Sequence, residues 1–128
     1  MICEKILLID DEKDFTTTLA ERLKLRGYDV SVASTADEAL ASVSQGIPNV
    51  IFMDLQIPGS TSGELLSALL KVTPKSRIVI LTGNADEATK KKSLEQGAYD
   101  YILKPFKIKE IVTKIVEACQ DRQEPSAV

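Results

Sequence analysis

The chain has 128 residues, 44% of them hydrophobic and 27% charged, which is enough for one domain with a real core. A net charge of −3 argues against general electrostatic attraction to nucleic acid or an anionic membrane. There is no histidine. That excludes Ser-His-Asp and Cys-His catalysis, histidine metal sites and a phosphohistidine on this chain, and leaves carboxylates and carbonyls as metal ligands, which favours a hard cation such as Mg²⁺.

The first apolar run is Lys5–Ile9 (KILLI), with acids directly behind it. It resembles neither a signal peptide nor a membrane span, so a cytoplasmic location is expected. Phe15, Leu19 and Leu23 then repeat at helical spacing. Residues 28–33 alternate as an edge strand does. Thr35 and Glu38 form a capping box ahead of Ala36, Ala39, Leu40 and Val43. Residues 50–53 are a short aliphatic strand, and Leu65, Leu66, Leu69 and Leu70 mark the third helix. Residues 77–81 are a second run without alternation, as in strands buried on both faces of a parallel sheet. The fourth helix, about 85–96, is mostly polar, with Ala88 and Leu94 as its main anchors, and stops at Gly97, a natural helix-ending residue. Its Lys90-Lys91-Lys92 run reads as a solvated face. Residues 99–103 form the last strand. Ile108, Ile111, Val112, Ile115, Val116 and Cys119 make the stripe of the fifth helix.

Five alternations of strand and helix imply right-handed crossovers and an α/β fold. The predicted sheet is parallel and five-stranded, in the order 2-1-3-4-5. The first and fifth helices should cover one face and the other three the opposite face. Residues 1–120 form the expected domain, and 121–128 a polar tail. Cys3 and Cys119 have no metal-ligand spacing and read as reduced packing thiols; the antiparallel return of the last helix should bring Cys119 toward the end of the sheet where Cys3 lies.

Ligand sites in such sheets lie at the C-terminal strand ends, near the switch in strand order. Asp10, Asp11, Asp54, Thr82 and Lys104 all fall there. Each admits a structural reading by itself: Asp10 or Asp11 as a helix cap, Asp54 as a turn opener, Thr82 as a cap, Lys104 as a surface charge. Jointly they do not, because three clustered carboxylates repel each other and call for a cation. A carboxylate beside a metal and an ammonium can attack phosphorus and become an aspartyl-phosphate.

Here the sequence strongly resembles the receiver domain of two-component response regulators, of the chemotaxis-regulator-like kind, from about Lys5 to Cys119. The matching pieces are Asp10-Asp11 after KILLI, Asp54-Leu55-Gln56-Ile57-Pro58, Leu81-Thr82-Gly83, Gly97-Ala98-Tyr99-Asp100-Tyr101 and Lys104-Pro105-Phe106. The resemblance implies the flavodoxin-like receiver fold and a role in phosphorelay signalling rather than turnover of a substrate. It implies Asp54 as phosphoacceptor, Lys104 as partner of the phosphoryl group, Thr82 as the hydroxyl that moves toward it, and Tyr101 as the aromatic switch. It implies Mg²⁺ on Asp11 and Asp54 directly, on Asp10 through water, and on the Gln56 backbone carbonyl. It also implies a cis Lys104–Pro105 peptide. The implied partners are a sensor histidine kinase or histidine phosphotransfer protein and a downstream output domain or protein, with no direct nucleic-acid or membrane binding. A homodimer formed on phosphorylation is allowed. Gln56 and Asn84, both uncharged, flank the site and are expected to set the lifetime of the acyl phosphate. The chain departs from the family pattern after Pro58, where the loop to Gly63 is one residue longer.

Two other functions share parts of this pattern. A phosphatase of the haloacid-dehalogenase type would need a second Asp two positions after the nucleophile, where Gln56 stands. A nucleotide or flavin binder would need a phosphate-binding glycine motif after the first strand, and none is present.

Overall fold

The computed structural model describes residues 5–55, 62–83 and 87–123, without the side chains at 62, 87, 89 and 121–123. Gln56, the rest of the loop after Asp54, Asn84, Cys3 and residues 124–128 lie outside the described residues. The elements run β1 (Lys5–Ile9), α1 (Lys13–Leu25), β2 (Asp29–Ala33), α2 (Ala36–Gln45), β3 (Val50–Asp54), α3 (Ser62–Val72), β4 (Arg77–Thr82), α4 (Glu87–Gln96), β5 (Asp100–Leu103) and α5 (Ile108–Gln123). The sheet order is β2-β1-β3-β4-β5, and every pairing is parallel, as the alternation predicted.

Side chains alternate across the strands and divide the core in two. Ile6, Leu8, Val50, Phe52, Val79, Leu81 and Ile102 pack under α1 and α5. Leu7, Ile9, Ile51, Met53, Ile78 and Ile80 pack under α2 and α3. β3 is buried at all five residues, which is why its sequence shows no alternation. β2 sits at the edge, with Asp29, Ser31 and Val32 exposed.

The predicted Thr35 cap is present: its hydroxyl accepts the Glu38 N–H at 3.1 Å, while the Glu38 carboxylate reaches back to the Ser34 N–H at 2.8 Å. Gly97 ends α4 with φ +121°, and the Ala98 N–H closes on the Ser93 carbonyl at 3.1 Å.

Three sequence expectations need correction. Ala88 is exposed and Leu94 is 40% exposed, so neither anchors α4; among the described side chains of this helix the buried ones are Lys90 and Ser93. A helix with so few apolar residues is oriented by what its polar side chains reach. For the same reason Lys90 is not part of a solvated run: it is 9% exposed, and its ammonium lies 4.7 Å from the centre of the Tyr101 ring. Cys119 is disulfide-bonded rather than a reduced thiol; pairing depends on geometry between sulfurs, which sequence spacing does not encode. In addition, α5 continues to Gln123, past the stripe that ends at Cys119.

Gly97 carries a double constraint, since an added Cβ would also lie 2.9 Å from Leu70 Cδ1. Gly97→Ala should therefore cost about 1–2 kcal/mol in urea unfolding. Gly83→Ala, at an open position with nothing within 4 Å of the added atom, should cost clearly less.

Candidate functional site

The register places the site. Ile9 lies beside Met53, and Asp54 beside Leu81, so Asp10 and Asp54 leave adjacent strand ends on either side of the β1–β3 pairing. Three backbone bonds extend the ladder past the strands and fix the rim. The Asp10 N–H donates to Ala33 O at 3.0 Å, the Leu55 N–H to Leu81 O at 3.3 Å, and the Lys104 N–H to Thr82 O at 2.8 Å. The Lys104–Pro105 peptide is cis.

Lys104 is the centre of the site. Its Nζ donates to Asp10 Oδ2 at 3.0 Å and to Asp54 Oδ2 at 3.2 Å, and lies 3.7 Å from Glu12 Oε1. It also stands 5.4 Å from the centre of the Phe15 ring, which meets Phe106 edge-on at 5.5 Å. Asp10 is 1% exposed and held at both oxygens, because its Oδ1 accepts the Glu12 N–H at 3.0 Å. Asp54 is buried less completely, with 12% of its side chain exposed. Burial opposes the charge on Lys104, but the hydrogen bonds and charges of Asp10 and Asp54 outweigh it and hold the pKa above 10.5.

Oxygens of Asp10, Glu12 and Asp54 lie within 4.8 Å of one another. An all-oxygen set of this kind fits a hard divalent cation. Asp11 is exposed and is not part of that group. Thr82, the last residue of β4, is buried and follows the row Ile78, Ile80; Tyr101 pairs with Ile80 on the same face of the sheet. Gln56 lies outside the described residues. The structure thus gathers Asp10, Asp54 and Lys104, and sets Thr82 and Tyr101 on the opposite side of the sheet from the Val50–Phe52 row that Asp54 continues. Sequence reasoning missed Glu12 and Lys90. The signal for Glu12 was a third acid directly behind the pair; for Lys90 there was none beyond an aromatic residue on the adjoining strand.

The geometry is that of an acidic pocket with one ammonium, at the switch point of a doubly wound parallel sheet. The family model of the response regulator receiver domain matches residues 6–116, and the chain belongs to that family. A probable transcriptional regulator, ycf27, of Porphyridium aerugineum is 38% identical over 88% of this chain and 46% of its own length. The chain spans between about a quarter and a half of the curated relatives it matches. Among solved structures, a CheY-like response regulator receiver domain protein from Methanospirillum hungatei superposes with a TM-score of 0.89 at 29% identity, covering 97% of this chain and 99% of that one. A response regulator from Burkholderia pseudomallei, solved with a phosphorylated aspartic acid and a calcium ion, gives 0.82 at 32% identity, covering 97% and 74%. Among the described residues, no helix is long and apolar enough to cross a membrane.

Because its pKa is raised above 10.5, the Lys104 ammonium stabilises the fold fully below pH 10.5, and that contribution is lost as pH rises through the folded value. Side-chain NMR should place the Lys104 midpoint above 10.5 in metal-free protein, and Asp10→Asn should lower it. A midpoint unmoved by Asp10→Asn would contradict the assigned pairing.

Proposed function

We propose that Asp54 accepts the phosphoryl group within the phosphorelay function of this receiver domain. One observation carries the choice: of the two carboxylates that hold Lys104, Asp54 keeps solvent access, its side chain 12% exposed, while Asp10 is 1% exposed and held at both oxygens. The phosphorylated aspartic acid in the Burkholderia pseudomallei relative supports the same chemistry. The donor would be a phosphohistidine of a sensor histidine kinase or histidine phosphotransfer protein.

An Asp54 oxygen attacks phosphorus as the P–N bond to the donor breaks, and the electron pair leaves with the imidazole. Lys104, released from Asp54 Oδ2, turns its donor to a phosphoryl oxygen. Mg²⁺, on Asp11, Asp54 and the Gln56 carbonyl, with Asp10 acting through water, would neutralise charge on the phosphoryl oxygens. The carboxylate cluster accommodates such an ion, and the assignment of individual ligands rests on the family resemblance.

Phosphorylation adds close to two negative charges and three acceptors beside Lys104. Thr82 is the hydroxyl on the neighbouring strand end and would swing toward them. Tyr101 would then rotate into the vacated space, being next to Ile80 on the same face. The ring lines a groove of about 400 Å³ together with Lys90, Lys91, Leu94 and Glu95. Lys90 over the ring would pass the motion to α4. The surface of α4, β5 and α5 is the proposed output face, read by a downstream domain or protein or by a second copy of the chain. We take residues 1–120 as the receiver unit, 121–128 as a polar extension, and the cytoplasm as its compartment.

Acetyl phosphate with Mg²⁺ should add one phosphoryl group to the wild type and none to Asp54→Asn; equal labelling would show that another residue is the nucleophile. With beryllofluoride, NMR should show shifts at Tyr101 and along α4 that Thr82→Ala abolishes. Shifts confined to the neighbourhood of Asp54 would refute the proposed route.

A further inference from the structure

Glu12 occupies the N-cap position of α1, where Ser, Thr, Asp and Asn are favoured because their short side chains bond the exposed N–H groups. Glu12 makes no such bond. Its backbone does the local work: the Glu12 N–H goes to Asp10 Oδ1, and its carbonyl accepts the Thr16 N–H at 3.0 Å and the Thr16 hydroxyl at 3.3 Å. Helix capping therefore does not account for the carboxylate. The carboxylate instead stands 3.7 Å from Lys104 Nζ, within 4.8 Å of oxygens of Asp10 and Asp54, while 67% of the side chain faces solvent. Of the three carboxylates around Lys104 it is the outer one.

We propose that Glu12 is a specificity-determining residue that selects phosphodonors by charge, disfavouring small dianionic donors by its own charge and by its hold on Lys104. This rests on Asp54 as the phosphoacceptor. An incoming dianion meets the negative charge of a solvent-exposed carboxylate beside Asp54 and an ammonium already shared with a third carboxylate. A donor with lower net charge meets a smaller barrier. A protein donor could offset it with cationic groups of its own. The exposure of Glu12 makes the effect modest and sensitive to salt.

Two small donors separate charge from chemistry at neutral pH. With acetyl phosphate, a dianion, Asp54 attacks phosphorus, the P–O bond breaks, and acetate leaves with the electron pair. With phosphoramidate, carrying one net negative charge and its nitrogen protonated, the P–N bond breaks and ammonia leaves. Both yield the same aspartyl-phosphate. Removing one nearby charge should therefore favour the dianion more, by about three-fold or more at low salt for groups about 5 Å apart in a high-dielectric setting.

The experiment measures initial labelling rates at Asp54 with each donor at saturating Mg²⁺, for wild type, Glu12→Gln, Glu12→Ser and Asp14→Asn. Glu12→Ser supplies a favoured capping residue and so preserves the helix start. Asp14 is an exposed acid on the same turn, outside the cluster. Both Glu12 variants should raise the ratio of acetyl phosphate to phosphoramidate rates at least three-fold, and high salt should erase the gain. Metal-free NMR titration with inorganic phosphate should show tighter binding at Lys104 in the same two variants. An unchanged ratio with Asp54 still labelled overturns the role of Glu12. An equal gain in Asp14→Asn also overturns it, by showing a general charge effect. No labelling of Asp54 in wild type with either donor would instead refute the phosphoacceptor reading beneath it.

Discussion

The ammonium of Lys104 is the constraint on which the site depends. Carboxylates of Asp10, Asp54 and Glu12 converge within a few ångströms and would repel one another without it. One atom thereby joins the ends of β1, β3 and β5 and the start of α1. Its placement is set from two sides: the Lys104 N–H donates to Thr82 O, and the Phe15 ring lies alongside its ammonium. A change of charge at Asp54 redistributes this balance at once, because phosphoryl oxygens compete with the Asp10 and Asp54 carboxylates for the donors of Lys104. The same crowding suits the pocket to a divalent cation, which would take over the neutralisation that Lys104 provides.

The alternation of the strands sets Asp54 and the Thr82–Tyr101 pair on different faces of the sheet. Asp54 continues the row Val50, Phe52, under α1 and α5. Thr82 continues the row Ile78, Ile80, beside which Tyr101 lies. Thr82 thus stands at the rim, while Tyr101, beside Ile80, meets α4 through Lys90. That helix has few apolar residues: among its described side chains Lys90 and Ser93 are the buried ones, and Leu94 is substantially exposed. An element so anchored is suited to shift between arrangements of similar energy. The Lys90–Tyr101 contact would connect the proposed shift to β5.

Much of this was legible in the sequence because parallel strands announce themselves. Unalternated runs such as VIFM and RIVIL fit strands covered on both faces, and acids or hydroxyls at their ends fit no core role. Asp10, Asp54, Lys104 and the Gly97 stop could be read that way. Lys90 could not, because a lysine run looks solvated until a neighbouring aromatic ring is known to lie beneath it. Ala88 and Leu94 misled for a related reason: with two apolar residues, α4 has too weak a stripe to fix which face turns inward. Glu12 was hidden by its resemblance to an ordinary acidic first turn, and the bonding of Cys119 by the absence of any local mark of pairing.

The most direct measurement is chemical mapping of the acyl phosphate. The chain would be incubated with acetyl phosphate and Mg²⁺, reduced with borohydride, which converts an aspartyl-phosphate to homoserine, and sequenced by mass spectrometry. Homoserine at position 54 alone, absent when Mg²⁺ is removed by chelation, is the predicted result. Homoserine at position 10 or 11, or none anywhere, would contradict the account.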